Sequence, residues 1–175
     1  MGDRLGLFYP LLQLGVVARL AGDYTRAAAL VEESLALGRE LGSKAVICVA
    51  LHYLGDVVQD QGDYERALAL YQESVALARP IEHKENIALC LIGLGGVAGA
   101  IGQAERAARL LSAATTLFDT IGVSVAAWPE VRADDDRYVA AARAQLDEAT
   151  FAAAWAAGHA VAGSGGCRGV GALNR

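Results

Sequence analysis

The strongest constraint on this sequence is an internal repeat of 40 residues. Equivalent Leu-Gly pairs occur at Leu14-Gly15, Leu54-Gly55 and Leu94-Gly95. A second motif recurs at the same spacing as Gly22-Asp23-Tyr24, Gly62-Asp63-Tyr64 and, in a diverged copy, Gly102-Gln103-Ala104. A repeat of this length is one structural unit that cannot bury its apolar face alone, so successive copies must stack. The chain is therefore predicted to contain an array of three similar units.

Each copy of the repeat predicts two helices joined by a glycine turn. The predicted first helices span roughly 7–21, 45–61 and 85–101, and the second helices roughly 24–41, 64–79 and 104–121. The glycine at the start of each turn motif can adopt the left-handed conformation that ends a helix. Asp23 and Asp63 can then cap the next helix, whereas Gln103 is a weaker cap. Pro80, Gly42 and Gly122 are predicted to end the second helices.

Small residues at facing positions of the two helices predict close packing within each hairpin. A glycine inside a helix costs about 1 kcal/mol relative to alanine, which is tolerable where it lets a partner helix approach. The mid-helix glycines Gly15, Gly55 and Gly95 are each followed twelve residues later by an alanine, at Ala27, Ala67 and Ala107. One turn further on, the space beside them is predicted to be filled by Val31, Tyr71 and Leu111. Leu14, Leu54 and Leu94 are expected to have equivalent surroundings.

This pattern resembles the tetratricopeptide repeat family. The shared features are the Leu-Gly pair, the alanine twelve residues later, a large residue such as Tyr71 and a small one such as Ser74. The 40-residue period is longer than the usual 34 residues of the family, which implies longer helices. The resemblance implies an all-α fold, an α-solenoid of three helical hairpins over about 7–42, 45–80 and 85–122, within a domain 1–122.

After Gly122 the repeat stops and a different organisation is predicted. Trp128-Pro129 is a candidate start of a helical stretch, and helices are predicted over Asp134–Gln145 and Asp147–His159. Residues 123–161 would then supply C-terminal capping helices for the open end of the solenoid. The run of acids Asp134-Asp135-Asp136 is expected at a helix N-terminus. Residues 162–175 are glycine-rich and predicted to be disordered.

Two segments also resemble a narrower group. GQAERAARLL at 102–111 and DEATFAAAWAAGH at 147–159 are similar to the C-terminal repeat region of bacterial signal-transduction ATPases and LuxR-type transcriptional regulators. The resemblance implies a regulatory portion that holds, senses or recruits. The chain has no nucleotide-binding motif and no helix-turn-helix, so we expect a fragment or an altered gene rather than an ATPase or a DNA binder. A ligand-sensing domain of such a regulator is the alternative function.

Charge and motif content exclude several functions. The formal net charge is −5 and the arginines are interleaved with acids, which argues against direct nucleic-acid binding. The apolar N-terminal stretch recurs in register later in the chain, so neither a signal peptide nor a membrane anchor is predicted. Cys48, Cys90 and Cys167 lack disulfide or metal spacing, and a reducing cytoplasm is expected. No phosphate-binding loop, nucleophile elbow or zinc motif occurs, so no enzyme, cofactor or metal site is predicted.

A partner-binding groove is predicted from the first helix of each repeat. By resemblance to the family, the face turned away from the second helix lines a concave surface. The predicted groove residues are Tyr9, Leu12, Gln13, Val16, Arg19, Val49, His52, Tyr53, Asp56, Gln59, Leu89 and Ile92. This face is mainly apolar with a small polar centre. It is expected to bind a helical or apolar protein segment, or to be filled by the chain's own last helix. Homo-oligomers through the open solenoid ends are also an expectation.

Overall fold

The computed structural model describes residues 4–125 and 128–165, and the regular structure within these ranges is helical. The α-helices are α1 Phe8–Leu20, α2 Tyr24–Glu40, α3 Lys44–Asp60, α4 Tyr64–Ala78, α5 Lys84–Ala100, α6 Ala104–Ile121, α7 Pro129–Ala144 and α8 Glu148–Gly165. Short 3₁₀ helices occupy Arg4–Leu7 and Arg79–Ile81. The repeat helices pack as sequential antiparallel pairs. The all-α fold with three helical hairpins is confirmed, and the boundaries of these helices agree with the repeat.

Helix ends follow the predicted local chemistry. Gly22, Gly62 and Gly102 have φ of 78°, 83° and 80°, the left-handed conformation that costs glycine little. The Asp23 carboxylate accepts a hydrogen bond from the backbone N–H of Arg26 at 3.1 Å, and Asp63 does the same for Arg66 at 3.1 Å. The Gln103 side chain accepts no hydrogen bond from a backbone N–H at the start of α6, and its Oε1 accepts instead from Nη1 of Arg106 at 3.0 Å, so the weaker cap predicted there is confirmed.

The chain forms two compact units, Met1–Ile81 and Glu82–Arg175, called the first and the second unit below. In the first unit α1 packs on α2, α2 on α3, and α3 on α4. A Cβ added to Gly55 would lie 2.6 Å from Cε1 of Tyr71, and one added to Gly15 would lie 2.8 Å from Cγ2 of Val31. The mid-helix glycines therefore admit the large side chains of the partner helices, as predicted.

One expectation about the repeats is wrong. Leu14 is 51% exposed, whereas Leu54 is 3% and Leu94 is 2% exposed, so the three residues do not share equivalent surroundings. The reason within the first unit is positional. The helix α3 is covered by α2 from the preceding hairpin, while only the short 3₁₀ helix Arg4–Leu7 precedes α1 among the described residues of this unit. The repeat in the sequence thus encodes the hairpin but not what covers its first helix.

In the second unit the α5–α6 hairpin carries both C-terminal helices. A Cβ on Gly95 would lie 2.8 Å from Leu111, as expected for the third copy of the motif. The helix α8 packs along α6, and Ser112 Oγ donates a 2.7 Å hydrogen bond to the backbone oxygen of Trp155. Thr116 Oγ1 lies 2.9 Å from Nδ1 of His159, one turn further along both helices.

The C-terminal helices differ in part from the prediction. The helix α7 begins at Pro129, the candidate start in the sequence, because the N–H that proline lacks would have no partner at the first helical position. It runs on without a break to Ala144, so no separate helix starts at Asp134. The acidic run at 134–136 is therefore inside α7 and not at its N-terminus. The helix α8 continues to Gly165, past its predicted end at His159 and into the segment from 162 that was predicted to be disordered, and Ala162 within it is 1% exposed. The rest of the predicted disordered tail, 166–175, lies outside the described residues.

Candidate functional site

Several predicted groove residues of the first unit meet in one polar cluster. The name polar cluster is used below for the side chains of Arg19, His52, Asp56, Gln59, Asp60 and Tyr71. Arg19 lies in the last turn of α1. One side of α3 carries His52, Asp56, Gln59 and Asp60. A spacing of four residues places His52, Asp56 and Asp60 in one row on that helix.

An ion-paired arginine joins α1 to α3. The Nε of Arg19 donates to Oδ2 of Asp60 at 2.6 Å, and its Nη1 lies 3.8 Å from Oδ2 of Asp56. The arginine side chain is 7% exposed, and the two carboxylates are 16% and 19% exposed. A buried cation needs paired and hydrogen-bonded partners, because an uncompensated charge there is strongly destabilising. This arrangement therefore positions the two carboxylates with one edge still in contact with solvent.

Tyr71 of α4 completes the polar cluster, although the sequence predicted it as a packing residue. Its hydroxyl lies 2.7 Å from Oδ1 of Asp56 and 2.9 Å from Oε1 of Gln59, and its single proton can be donated to one of them at a time. The ring packs against Gly55. The equivalent positions hold Val31 and Leu111. A buried phenol needs a polar partner, and this was the signal in the sequence that could have found the contact.

His52 forms the aromatic side of the polar cluster, and Tyr53 packs against it from outside the cluster. His52 is 3% exposed and its Nε2 lies 3.5 Å from Oδ2 of Asp56. The ring centroids of His52 and Tyr53 are 4.9 Å apart in an edge-on arrangement. Tyr53 is half-buried, so part of its ring remains accessible beside the carboxylates. The accessible part of this region therefore combines an aromatic surface with acidic edges.

The remaining predicted groove residues are distributed between the interior and the surface. Leu12 is 1% and Val16 is 8% exposed, so both are core residues of the first unit. Tyr9 is 61% exposed and Gln13 is also exposed, while Val49 is half-buried. In the second unit Leu89 is half-buried and Ile92 is 4% exposed. The structure thus brings Arg19, His52, Asp56 and Gln59 together and leaves the other eight outside the polar cluster.

The second unit contains an aromatic cavity that the sequence only partly indicated. Its volume is about 510 Å³, and its lining includes Val139, Arg143, Glu148, Phe151, Ala152, Trp155, Ala156 and His159. The rings of Phe151 and Trp155 stack with centroids 5.5 Å apart, as their i, i+4 spacing suggested. The guanidinium carbon of Arg143 lies 4.6 Å above the Phe151 ring, a contact between α7 and α8 that no local pattern could predict.

A second cavity of about 530 Å³ lies beside the acidic run of α7, with Phe118, Asp119, Arg132, Asp135 and Asp136 among its lining residues. Burial, together with a smaller effect of the neighbouring charge of Asp136, raises the pKa of the Asp135 carboxyl to about 6. Oδ1 of Asp135 is buried without a hydrogen-bond partner. Ionisation of this carboxyl in the folded chain therefore opposes folding, and its effect on stability must depend on pH.

Other chemistry is sparse in the described ranges. Within 4–125 and 128–165 no group of three or more His, Cys, Asp or Glu side chains is arranged to hold a metal ion. Cys48 is a buried thiol whose pKa is raised to about 11 by desolvation, so it is a poor nucleophile. Cys167 lies outside the described residues. No helix in the same ranges is both long and apolar enough to cross a bilayer.

Comparison with known proteins supports the repeat assignment. Residues 46–120, from α3 to α6, match the model of the tetratricopeptide repeat family. No curated protein matches the chain. Nothing in these comparisons supports the likeness to signal-transduction ATPases or LuxR-type regulators, which stays a prediction from the sequence. The resemblance to tetratricopeptide repeats is confirmed over residues 46–120.

Proposed function

We propose that the protein is a noncatalytic interaction module that binds a protein or peptide segment at the face of the first unit where Tyr53, Asp56 and Asp60 meet the surface. The observation that carries this proposal is the polar cluster, which holds two carboxylates rigidly at the edge of an otherwise apolar helix face. The family match over residues 46–120 supports a binding role, because tetratricopeptide repeats generally bind proteins or peptides.

The charges of the polar cluster indicate the chemistry of the partner. Arg19 contacts both Asp56 and Asp60, so one cation faces two carboxylates. A basic side chain from a partner would neutralise the second negative charge without disturbing the existing contacts. Tyr53 beside the carboxylates offers an aromatic surface to an apolar neighbour. The preferred partner is therefore an apolar or helical segment that carries a lysine or arginine.

A binding experiment with purified components tests this proposal. Labelled helical peptides that share an apolar stripe and differ in a central Lys, Ala or Glu would be titrated with the full chain by fluorescence anisotropy. We expect the Lys peptide to bind most tightly and the Glu peptide most weakly, with the difference reduced at high salt. Equal binding of the three peptides would contradict the proposed acidic site.

Paired tyrosine variants locate the binding face. Tyr53→Ala should weaken binding of the Lys peptide by about tenfold or more, because aromatic residues at the centre of an interface carry much of its energy. Tyr64→Ala, at a residue of the same unit that is 36% exposed, is the matched control and should bind as the wild type does. Loss of binding in both variants, or in neither, would place the partner elsewhere.

A second candidate function rests on the aromatic cavity in the second unit. A volume of about 510 Å³ lined by Phe151, Trp155 and Arg143 suits a small apolar molecule with a polar end. This is the feature that supports a ligand-sensing role, and the placement in a bacterial cytoplasmic regulator rests on the sequence likeness of 102–111 and 147–159. Aromatic acids that raise the melting temperature of the wild type but not of Ala156→Phe would support it. No shift with any of them would leave the interaction module as the function.

A further inference from the structure

The helices of the second unit are packed to very different degrees. The helix α6 buries eleven of its eighteen residues, and α8 buries Phe151, Ala154 and Ala162 among others. Of the sixteen residues of α7, all of which are described, Ala142 is the single buried one. A helix with few buried side chains opens locally at a lower free energy than the well-packed helices around it. The helix α7 is therefore the least firmly held helix of the second unit.

The helix α8, in contrast, is fixed to α6 by polar contacts as well as by its buried side chains. Ser112 Oγ donates to the backbone oxygen of Trp155 at 2.7 Å, and Thr116 Oγ1 lies 2.9 Å from Nδ1 of His159. The aromatic cavity is therefore lined by one firmly held helix, α8, and one weakly held helix, α7.

The position of α7 matters because this helix covers α5. It packs on α5 and α6, and Nε2 of Gln145 donates a 3.4 Å hydrogen bond to the backbone oxygen of Gly99. The helix α5 is buried from Asn86 to Ala98 apart from Leu89. Two states follow, a docked state in which α7 lies on α5 and a detached state in which apolar side chains of α5 are uncovered.

The aromatic cavity lies where α7 faces α8. The helix α7 contributes Val139 and Arg143 to its lining, and α8 contributes Phe151, Trp155 and Ala156. The guanidinium carbon of Arg143 lies 4.6 Å from the centre of the Phe151 ring. A flat ligand with a carboxylate can stack on the aromatic rings while the carboxylate accepts hydrogen bonds from Arg143. Such a ligand contacts both helices at once, which is possible only in the docked state.

We propose that an aromatic carboxylate bound in the aromatic cavity holds α7 in its docked state, so that the ligand controls how often α5 is uncovered. The inference rests on the ligand-sensing candidate function and adds the structural response to the ligand. A ligand that binds only the docked state favours it by a factor of one plus the ratio of ligand concentration to dissociation constant. Arg143 is the residue that transmits this effect to α7.

Hydrogen–deuterium exchange of the full chain, read by mass spectrometry of its peptides, tests the proposal with naphthoate as the ligand. Calorimetry of the same protein gives the dissociation constant. In the free chain we expect the amides of 129–144 to exchange faster than those of α6. Naphthoate at about ten times its dissociation constant should slow the exchange of 129–144 about tenfold. Exchange of α2 in the first unit should not change.

Two arginine variants separate the guanidinium of the cavity from the charge of the helix. Arg143→Gln should weaken naphthoate binding about tenfold, because a charged hydrogen bond is lost. At the same naphthoate concentration, the slowing relative to the free variant should then fall to about twofold. Arg132→Gln is the matched control, because Arg132 is an exposed arginine of the same helix that lines the other cavity. It should respond to naphthoate as the wild type does.

Three results would overturn the proposal. If 129–144 exchanges as slowly as α6 in the free chain, α7 does not detach and there is no second state to suppress. If calorimetry shows binding and the exchange of 129–144 stays unchanged, the ligand-sensing candidate survives and only this inference fails. If naphthoate does not bind at about 1 mM, both fail together. None of these outcomes affects the binding of the Lys peptide through Tyr53.

Discussion

At the scale of single residues, Tyr71 shows how one polar atom links packing to a candidate site. Its ring fills the space that Gly55 leaves open, and its hydroxyl contacts Asp56 and Gln59. The repeat predicted a large side chain at Tyr71, because the positions of small and large residues recur in the local sequence pattern. Its hydroxyl contacts could not, since they depend on where α3 places Asp56 and Gln59 in the folded unit.

Removing that hydroxyl should destabilise the protein without creating a cavity. Tyr71→Phe keeps the ring on Gly55 but leaves Asp56 without one hydrogen-bond donor, which should cost about 1–3 kcal/mol in the free energy of unfolding. Urea titration followed by circular dichroism measures the loss. Tyr64→Phe removes an exposed hydroxyl and should change the free energy by less than about 0.5 kcal/mol. Equal effects of the two substitutions would show that the polar cluster does not stabilise the first unit.

The buried carboxyl of Asp135 should make stability depend on pH in a specified direction. Its pKa is raised from 3.8 to about 6 in the folded chain, so the folded state holds the proton more tightly than the unfolded state. Its contribution is therefore fully favourable below pH 3.8 and is lost as the pH rises through about 6. Asp135→Asn should raise the melting temperature relative to wild type above this range, and the difference should shrink as the pH falls below it.

Melting temperatures of the two proteins across the acid-to-neutral range check this prediction. Glu73→Gln, at an exposed residue of α4, controls for the general loss of a negative charge and should show no such pH-dependent difference. If Asp135→Asn melted below the wild type above the pKa of about 6, the carboxylate would have to be a stabilising charge instead of a buried cost.

At the scale of helices, Gly158 determines how closely α8 approaches α6. A Cβ on this residue would overlap the backbone carbonyl oxygen of Arg109, which cannot move aside as a side chain can. Gly158→Ala should therefore force the two helices apart and destabilise the second unit by about 1–3 kcal/mol. The free energy of unfolding, measured by denaturant titration, gives the size of the effect.

The same helix supplies an internal control for that substitution. A Cβ on Gly163 would have no neighbour within 4 Å, so Gly163→Ala should gain the helix propensity of alanine and stabilise by up to about 1 kcal/mol. If Gly158→Ala destabilises the protein and Gly163→Ala stabilises it, the loss at Gly158 comes from close packing against α6 and not from helix propensity. Stabilisation by both would show that α8 does not depend on contact with α6.

The helices also show which features the sequence could predict. Helices α1 to α6 were placed to within a few residues because glycine turns, aspartate caps and Pro80 act locally. The proline at 129 indicated the start of α7, but the continuity of α7 through Asp134 and the end of α8 were missed, since no second copy of either helix occurs in the chain for comparison. Burial of Ala162 extends α8 beyond its predicted end, and burial is a tertiary property. Periodicity thus predicted the repeated elements better than the unrepeated ones.

At the scale of the whole molecule, the repeat predicted which helices pair but not which faces remain uncovered. The expectation of equal surroundings for Leu14 and Leu54 failed because the repeat does not specify what lies beside its first member. The candidate site was predicted in part for the same reason. His52, Asp56, Gln59 and Asp60 share one side of α3 by helical spacing, whereas Arg19 of α1 and Tyr71 of α4 join them through contacts between helices.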